Sequence, residues 1–248
     1  MTPRVDVNTW IGGLPDRDVP HPEAPVLARV LVREGVAGAW VGHLPSIFAE
    51  DPHASHDALF AELAPFPMLR AVPTVHPGRE GWEPALMAAV GRGAVAVRVV
   101  PQRWQITENE LLRLAERCAE LRTPIMFGDP IYAFDHETVL TSLVRAHPSV
   151  RVVVTAAVRT TISEARSLLL GDLDARVWWD ISEIAGPPAD DLAALLRARG
   201  GEQFLYGSGW PLRLTQVPRA NLELLPPDVA NVSLADADAL GAPRANPE

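Results

Sequence analysis

The sequence predicts a single (β/α)8 barrel, and three observations carry that prediction. Eight strand-like runs alternate with helical patterns along 248 residues, an order that implies a parallel sheet and, with eight units, a closed one. The length and a 48% hydrophobic content allow one large core. The first strand is followed by IGGLPDRDVP, a Gly pair and then two prolines, where a dinucleotide-binding sheet would carry G-x-G-x-x-G. No linker, short repeat or low-complexity block divides the chain, so 1–248 reads as one domain with 215–248 as a C-terminal helix and packing tail.

The first run, RVDVNTW (4–10), alternates branched and polar residues. Strict alternation sets Val5, Val7 and Thr9 on one face and Asp6, Asn8 and Trp10 on the other. Asp is depleted in strands, so the polar face is either the wall of a site or an Asp tied to nearby backbone amides. A pattern apolar at spacings of three and four follows at 25–35, closed by Gly35, and leads into GVAGAWVGH (35–43). HDALFAELAPF (56–66) precedes LRAVPTVH (69–76), and EPALMAAVGRG (83–93) precedes GAVAVRVV (93–100). ENELLRLAERCAEL (108–121) leads to TPIMFGD (123–129), and HETVLTSLVRAH (136–147) to VRVVVTAA (150–157). TISEARSLLL (161–170) leads to ARVWWDIS (175–182), and DDLAALLRARGG (190–201) to EQFLYGSG (202–209).

Composition removes several classes of function. All 22 basic residues are Arg, so mechanisms that need a Lys amine are excluded, among them Schiff-base chemistry and the P-loop phosphate clamp. A formal charge of −9 without a run of Arg argues against a nucleic-acid surface. No window of 18 apolar residues spans a membrane and no signal peptide precedes the first strand, which predicts a cytoplasmic protein. The one cysteine, Cys118, shares a helical face with Leu111, Leu114 and Ala115 and reads as a buried structural thiol.

In a (β/α)8 barrel the active site lies at the C-terminal ends of the strands. The polar candidates there are Asn8, His43, His76, Arg98, Arg103, Asp129, Thr155, Asp180, Ser182 and Ser208, with Trp10, Trp104 and Trp210 beside them. Arg98 falls on an inner face in VAVRVV, where a buried charge needs a partner: Asp6, Asp180 or the carboxylate of a ligand. Asp180, with Ser182 on the same face, is either a general base or the cap of its loop. Asp129 in FGDP is either a base or a turn residue before Pro. His76 in TVHPG is either a turn residue or an acid–base group. Trp10 and Trp210 either line an aromatic pocket mouth or fill a barrel layer. His53, His56, His136 and His147 fall at helix ends and carry no chemistry in this reading.

Five segments together resemble the amidohydrolase superfamily, in its amidohydrolase-related type 2 branch, over nearly the whole chain. VDVNTWIGG matches a first-strand D-x-H-x-H pattern, GAVAVRVVP a fourth-strand G-x-x-G-V-R-L-x-P, and HPSVRVVVTAA a sixth-strand run ending in His. RVWWDIS is similar to a seventh-strand D-x-S and FLYGSGWP to a last-strand G-S-D-x-P. The resemblance implies an amidohydrolase-type barrel with a divalent metal, and it carries the metal-ligand positions onto Asn8, Trp10, Gly128, Ala156 and Gly209. None of these is a good ligand. The resemblance therefore implies a site with no metal and no other cofactor, with Trp10 filling vacated space.

The expected function is a metal-independent enzyme of the hydrolase or decarboxylase (lyase) type on a small carboxylate-bearing or aromatic substrate. Asp180, Asp129 and His76 are its acid–base candidates. Arg98, Asn8, Trp10, Ser182, Ser208 and Trp210 are its binding candidates. A non-catalytic ligand-binding pseudoenzyme is the alternative, and a metallohydrolase using His43, His76 and Asp129 a third reading. The expected partner is a small anionic molecule, with neither nucleic acid nor membrane; a homodimer is left open.

Overall fold

The computed structural model describes residues 4–16, 18–20, 22–129, 137–155, 176–182, 184 and 190–241. Its strands are β1 (Val5–Ile11), β2 (Gly38–His43), β3 (Leu69–Ala71), β4 (Val97–Val99), β5 (Ile125–Phe127), β6 (Val152–Val154), β7 (Val177–Asp180) and β8 (Phe204–Leu205). They pair in parallel as two arcs, β1 to β3 and β4 to β8. Two seams close the arcs into a barrel. Across the first, Val95 N donates to Ala71 O, Arg98 N to Pro73 O and Val75 N to Arg98 O at 2.8–3.1 Å. Across the second, Val7 N donates to Tyr206 O, Gly209 N to Asn8 O and Trp10 N to Trp210 O at 2.7–2.9 Å. The eightfold barrel expected from the alternation is present.

The strands are shorter than the apolar runs that announce them. Proline explains part of this, because it has no N–H for the ladder. The run at 69–76 pairs only to Ala71, since Pro73 interrupts it, and resumes as an isolated bridge from Thr74 to Arg98.

Between the strands lie α1 (Ala24–Glu34), α2 (His56–Leu63), α3 (Trp82–Gly91), α4 (Pro101–Trp104), α5 (Glu108–Glu120), α6 (Glu137–Ala146) and α7 (Asp190–Arg199), with α8 (Gln216–Glu223) and α9 (Ala237–Leu240) after β8. Local chemistry sets their ends. Gly35 terminates α1 at φ 68, where its missing Cβ is an advantage. Thr107 and Glu110 form a reciprocal capping box at the start of α5. The helix expected over 161–170, His136, and the end of the sixth strand run including Ala156 lie outside the described residues.

Three apolar layers position the site. Helices pack on the outer faces of the strands in the largest cluster, which includes Cys118, whose thiol pKa burial pushes up. Val7, Trp40, Val72, Ala96, Met126, Val153 and Leu205 form an inner cluster with Ala237 and Leu240 of α9. Trp10, Leu44, Ile47 and Val100 form the third, with Leu14, Val19, Phe48, Trp104 and Leu212 against it. No helix among the described residues is long and apolar enough to cross a membrane.

Strand β1 departs from strict alternation. Its pairing with β2 shifts register between Asp6 and Thr9, as a bulge does. Val7 joins the inner cluster, while Asn8 and Trp10 turn toward the strand ends. Asp6 binds backbone instead: its Oδ1 accepts the amides of Asn8 at 3.1 Å and Ser208 at 3.0 Å. Of the two readings open for the polar face, Asp6 follows the backbone one, and the face is not a continuous row.

Candidate functional site

The bulge brings Asn8 to Asp180, at the end of β7. Asn8 Nδ2 donates to Asp180 Oδ2 at 2.8 Å and to Ser182 Oγ at 3.2 Å, while Asn8 Oδ1 accepts the Trp10 indole N–H at 3.2 Å. Ser182 Oγ also donates to Asp180 Oδ2 at 2.8 Å, and the Ser182 amide donates to Oδ1. The β8 loop reaches this carboxylate closely, because a Cβ at Gly207 would overlap Asp180 Oδ1. Asn8, Asp180 and Ser182 are all buried. Each functional atom of Asn8 is thus committed within the cluster.

Arg98, on β4, is fully buried with its guanidinium over Trp10, Cζ lying 3.9 Å from the ring centre. That contact is a cation–π interaction. Nη1 donates to Thr155 Oγ1 at 3.1 Å and to Gly128 O at 3.3 Å. Nε and Nη2 have no hydrogen-bond partner among the described residues. Burial lowers the Arg98 pKa to about 9, against the opposing pull of the Asp180 and Asp129 charges. Neither acid forms an ion pair with it, so the pairing with Asp6 or Asp180 weighed from the sequence is absent among the described residues.

The remaining candidates separate. Asp129 is paired with Arg103, whose Nε lies 2.8 Å and Nη2 2.7 Å from Oδ2, and the Arg103 guanidinium rests over Phe48 at 4.4 Å. His76 stacks on Trp104 with centroids 4.7 Å apart, and its Nδ1 accepts the Gly78 amide at 3.1 Å. That is turn geometry, and burial lowers its pKa. Ser208 lies near Asp6 and accepts the Trp210 amide on Oγ at 3.2 Å. The Trp210 ring packs against the outer cluster. His43 is half-buried beside Glu62, with a lowered pKa from burial. The structure therefore brings together Asn8, Trp10, Arg98, Asp180 and Ser182, and sets His76, Asp129, Ser208 and Trp210 in separate contacts.

The sequence offered Asp6 as a partner of Arg98 or of backbone amides, Gly128 as a substituted ligand position and Thr155 as a strand-end polar group, without the contacts that Gly128 and Thr155 make to Arg98. Asp6 is completely buried, with Oδ2 unpartnered among the described residues. Burial raises its pKa to about 7, against the hydrogen bonds from Ser208 and Asn8 and with a further push from Asp180. A clue to Gly128 was that glycine occupies a strand end; its φ of +144 and the overlap a Cβ would make with the Thr155 carbonyl require it.

A divalent metal does not fit these donors. Asn8 is committed at both ends of its amide, Trp10 presents only an N–H, and Gly128 and Gly209 have no side chain. No group of three His, Cys, Asp or Glu side chains suited to a metal occurs among the described residues.

No protein-family model matches the sequence, and no curated protein matches it significantly. Solved structures do match in fold. One is a dihydroxybenzoic acid decarboxylase from Polaromonas sp. JS666 with bound manganese and the inhibitor 2-nitroresorcinol, at TM-score 0.69 and 13% identity, covering 97% of this chain and 95% of that one. Another is the probable 2-pyrone-4,6-dicarboxylic acid hydrolase of Acinetobacter baumannii with citric acid bound, at TM-score 0.63 and 13% identity, covering 89% and 91%. A third is amidohydrolase 2 from Bifidobacterium longum subsp. infantis, at TM-score 0.60 and 16% identity, covering 89% and 90%. The chain thus has the amidohydrolase-type barrel fold.

Proposed function

We propose that the chain is a metal-independent, amidohydrolase-like enzyme acting on a small carboxylate-bearing or aromatic substrate by hydrolysis or decarboxylation. One observation carries this reading: the unpartnered Nε and Nη2 of the buried Arg98. These two atoms form one edge of the guanidinium, the fork that takes a carboxylate through two parallel hydrogen bonds. Leaving such donors unpaired in a protein interior costs several kcal/mol or so, and a ligand carboxylate would recover part of that. Neighbours in fold support the substrate class, since they include a dihydroxybenzoic acid decarboxylase and a structure with citric acid bound.

Asp180 is the acid–base group of this proposal. Asn8 and Ser182 fix its orientation. Trp10 supplies the apolar wall. The second reading, a ligand-binding protein without catalysis, is favoured by the engagement of Asp129 by Arg103 and of His76 in its turn. Calorimetry with benzoate, dihydroxybenzoates and citrate, followed by assays of carbon dioxide release and lactone opening in the presence of a chelator, tests both. Turnover lost in Asp180→Asn with binding retained supports the enzyme. Binding without turnover of any of these compounds selects the second reading, and absence of binding across the panel discards both.

A further inference from the structure

We infer that the Arg98 guanidinium, which the resembled fourth-strand pattern also carries, is left as the resident cation of the barrel mouth once the metal-ligand positions are substituted. The case rests on what touches it. Its flat face lies against Trp10 and its Nη1 against Gly128 O and Thr155 Oγ1. Trp10 and Gly128 are two of the positions to which the resemblance carries metal ligands, and Thr155 directly precedes a third, Ala156. The residues that remove metal donors therefore also build a seat for a guanidinium.

Each part of that seat has a physical reason. An indole face attracts a cation more strongly than other aromatic faces do. Gly128, lacking a Cβ, lets the chain turn its carbonyl to Nη1 while lying against Thr155, which any ligand side chain at 128 would prevent. Asn8, the described position with a donor oxygen, is drawn away to Trp10 and Asp180. Asp180 and Asp129 act on Arg98 through their charge without occupying its fork. A fixed single charge of this kind anchors an oxyanion but does not convert bound water to hydroxide as a divalent ion does. The mouth is accordingly specialised for holding a planar monocarboxylate; this clause rests on the proposed function, whereas the identity of the cation does not.

Chemical rescue tests the assignment. Melting of wild type, Arg98→Ala and Arg98→Ala/Trp10→Leu is followed with EDTA, with Mn²⁺ or Zn²⁺, with methylguanidinium, and with tetramethylammonium at equal ionic strength. Wild type should ignore EDTA and both metals. Arg98→Ala should melt lower and recover saturably with millimolar methylguanidinium but not with tetramethylammonium, and the double variant should not recover. If Arg98→Ala does not fold, Arg98→Met takes its place, with a loss of at least about tenfold in benzoate affinity as the expected result. Rescue in a protein that binds no benzoate keeps the cation and discards the carboxylate ligand. Benzoate binding that survives in Arg98→Met likewise discards the carboxylate ligand, and absence of specific rescue or a stoichiometric divalent ion that raises wild-type melting overturns the assignment.

Discussion

At the scale of single residues, Asp6 shows how one buried carboxyl couples pH to stability. Its pKa of about 7 in the folded protein lies well above the value near 3.9 expected in an unfolded chain. Between about pH 4 and 7 the folded state therefore keeps a proton that the unfolded chain has released. Stability from this group is fully present below about pH 4 and is lost as pH rises to about 7, at about 1.4 kcal/mol per unit of separation. Asn at this position keeps an acceptor for the Asn8 and Ser208 amides but does not titrate. Urea midpoints of Asp6→Asn and wild type should converge at acid pH, with the variant gaining relative stability up to pH 7. A difference that stays flat across that range would sink this account. Trp10 gives a second residue-scale expectation. It is fully buried within the third apolar cluster and in contact with Arg98, so Trp10→Ala should cost roughly 3–5 kcal/mol in chemical denaturation.

At the scale of elements, the strand ends explain what the sequence displayed and what it hid. The alternation of patterns showed the barrel, because burial on both faces makes parallel strands read as apolar runs. The same reasoning found Asn8, Trp10, Arg98, Asp180 and Ser182, since each ends or follows such a run. It misjudged Asp6, because a one-residue bulge has no marker in a period-two pattern and breaks the row between Asp6 and Thr9. It gave Asp129 no partner, because α4 and the Arg103 it carries form a single turn too short to show periodicity. Gly207 is the element-scale test. Its missing side chain lets the end of β8 reach the Asp180 carboxylate, so Gly207→Ala should displace Asp180 and strain the strand end, costing roughly 1–3 kcal/mol. The displacement should also free the Trp10 indole N–H by disturbing Asn8, which tryptophan fluorescence would register. Wild-type melting and emission in Gly207→Ala would show that the strand end relaxes without moving the carboxylate.

At the scale of the whole molecule, the distribution of arginine separates the site from the surface. The chain neutralises many of its arginines at the periphery, in pairs such as Arg70 with Asp238, Arg92 with Asp57, and Arg219 with Glu34. Arg103 extends this practice inward, meeting the buried Asp129. Arg98 departs from it: completely buried, it has an aromatic face, a hydroxyl and a carbonyl, but no carboxylate in contact among the described residues. Removing one partner of a buried ion pair strands the other and costs about 3–5 kcal/mol, whereas replacing Arg98 by an apolar side chain strands no charge and releases only the Gly128 carbonyl and the Thr155 hydroxyl. Arg103→Met should therefore lower the melting temperature clearly, with Asp129 left without that cation. Arg98→Met, with a side chain long enough to fill the space beside Trp10, should melt at or above the wild-type temperature, as expected where a residue is kept for function at the expense of stability. Thermal melting of the two variants side by side checks the contrast. If Arg98→Met falls as far as Arg103→Met, the Trp10, Gly128 and Thr155 contacts hold the barrel together, and the free edge of the guanidinium loses its claim to be a binding device.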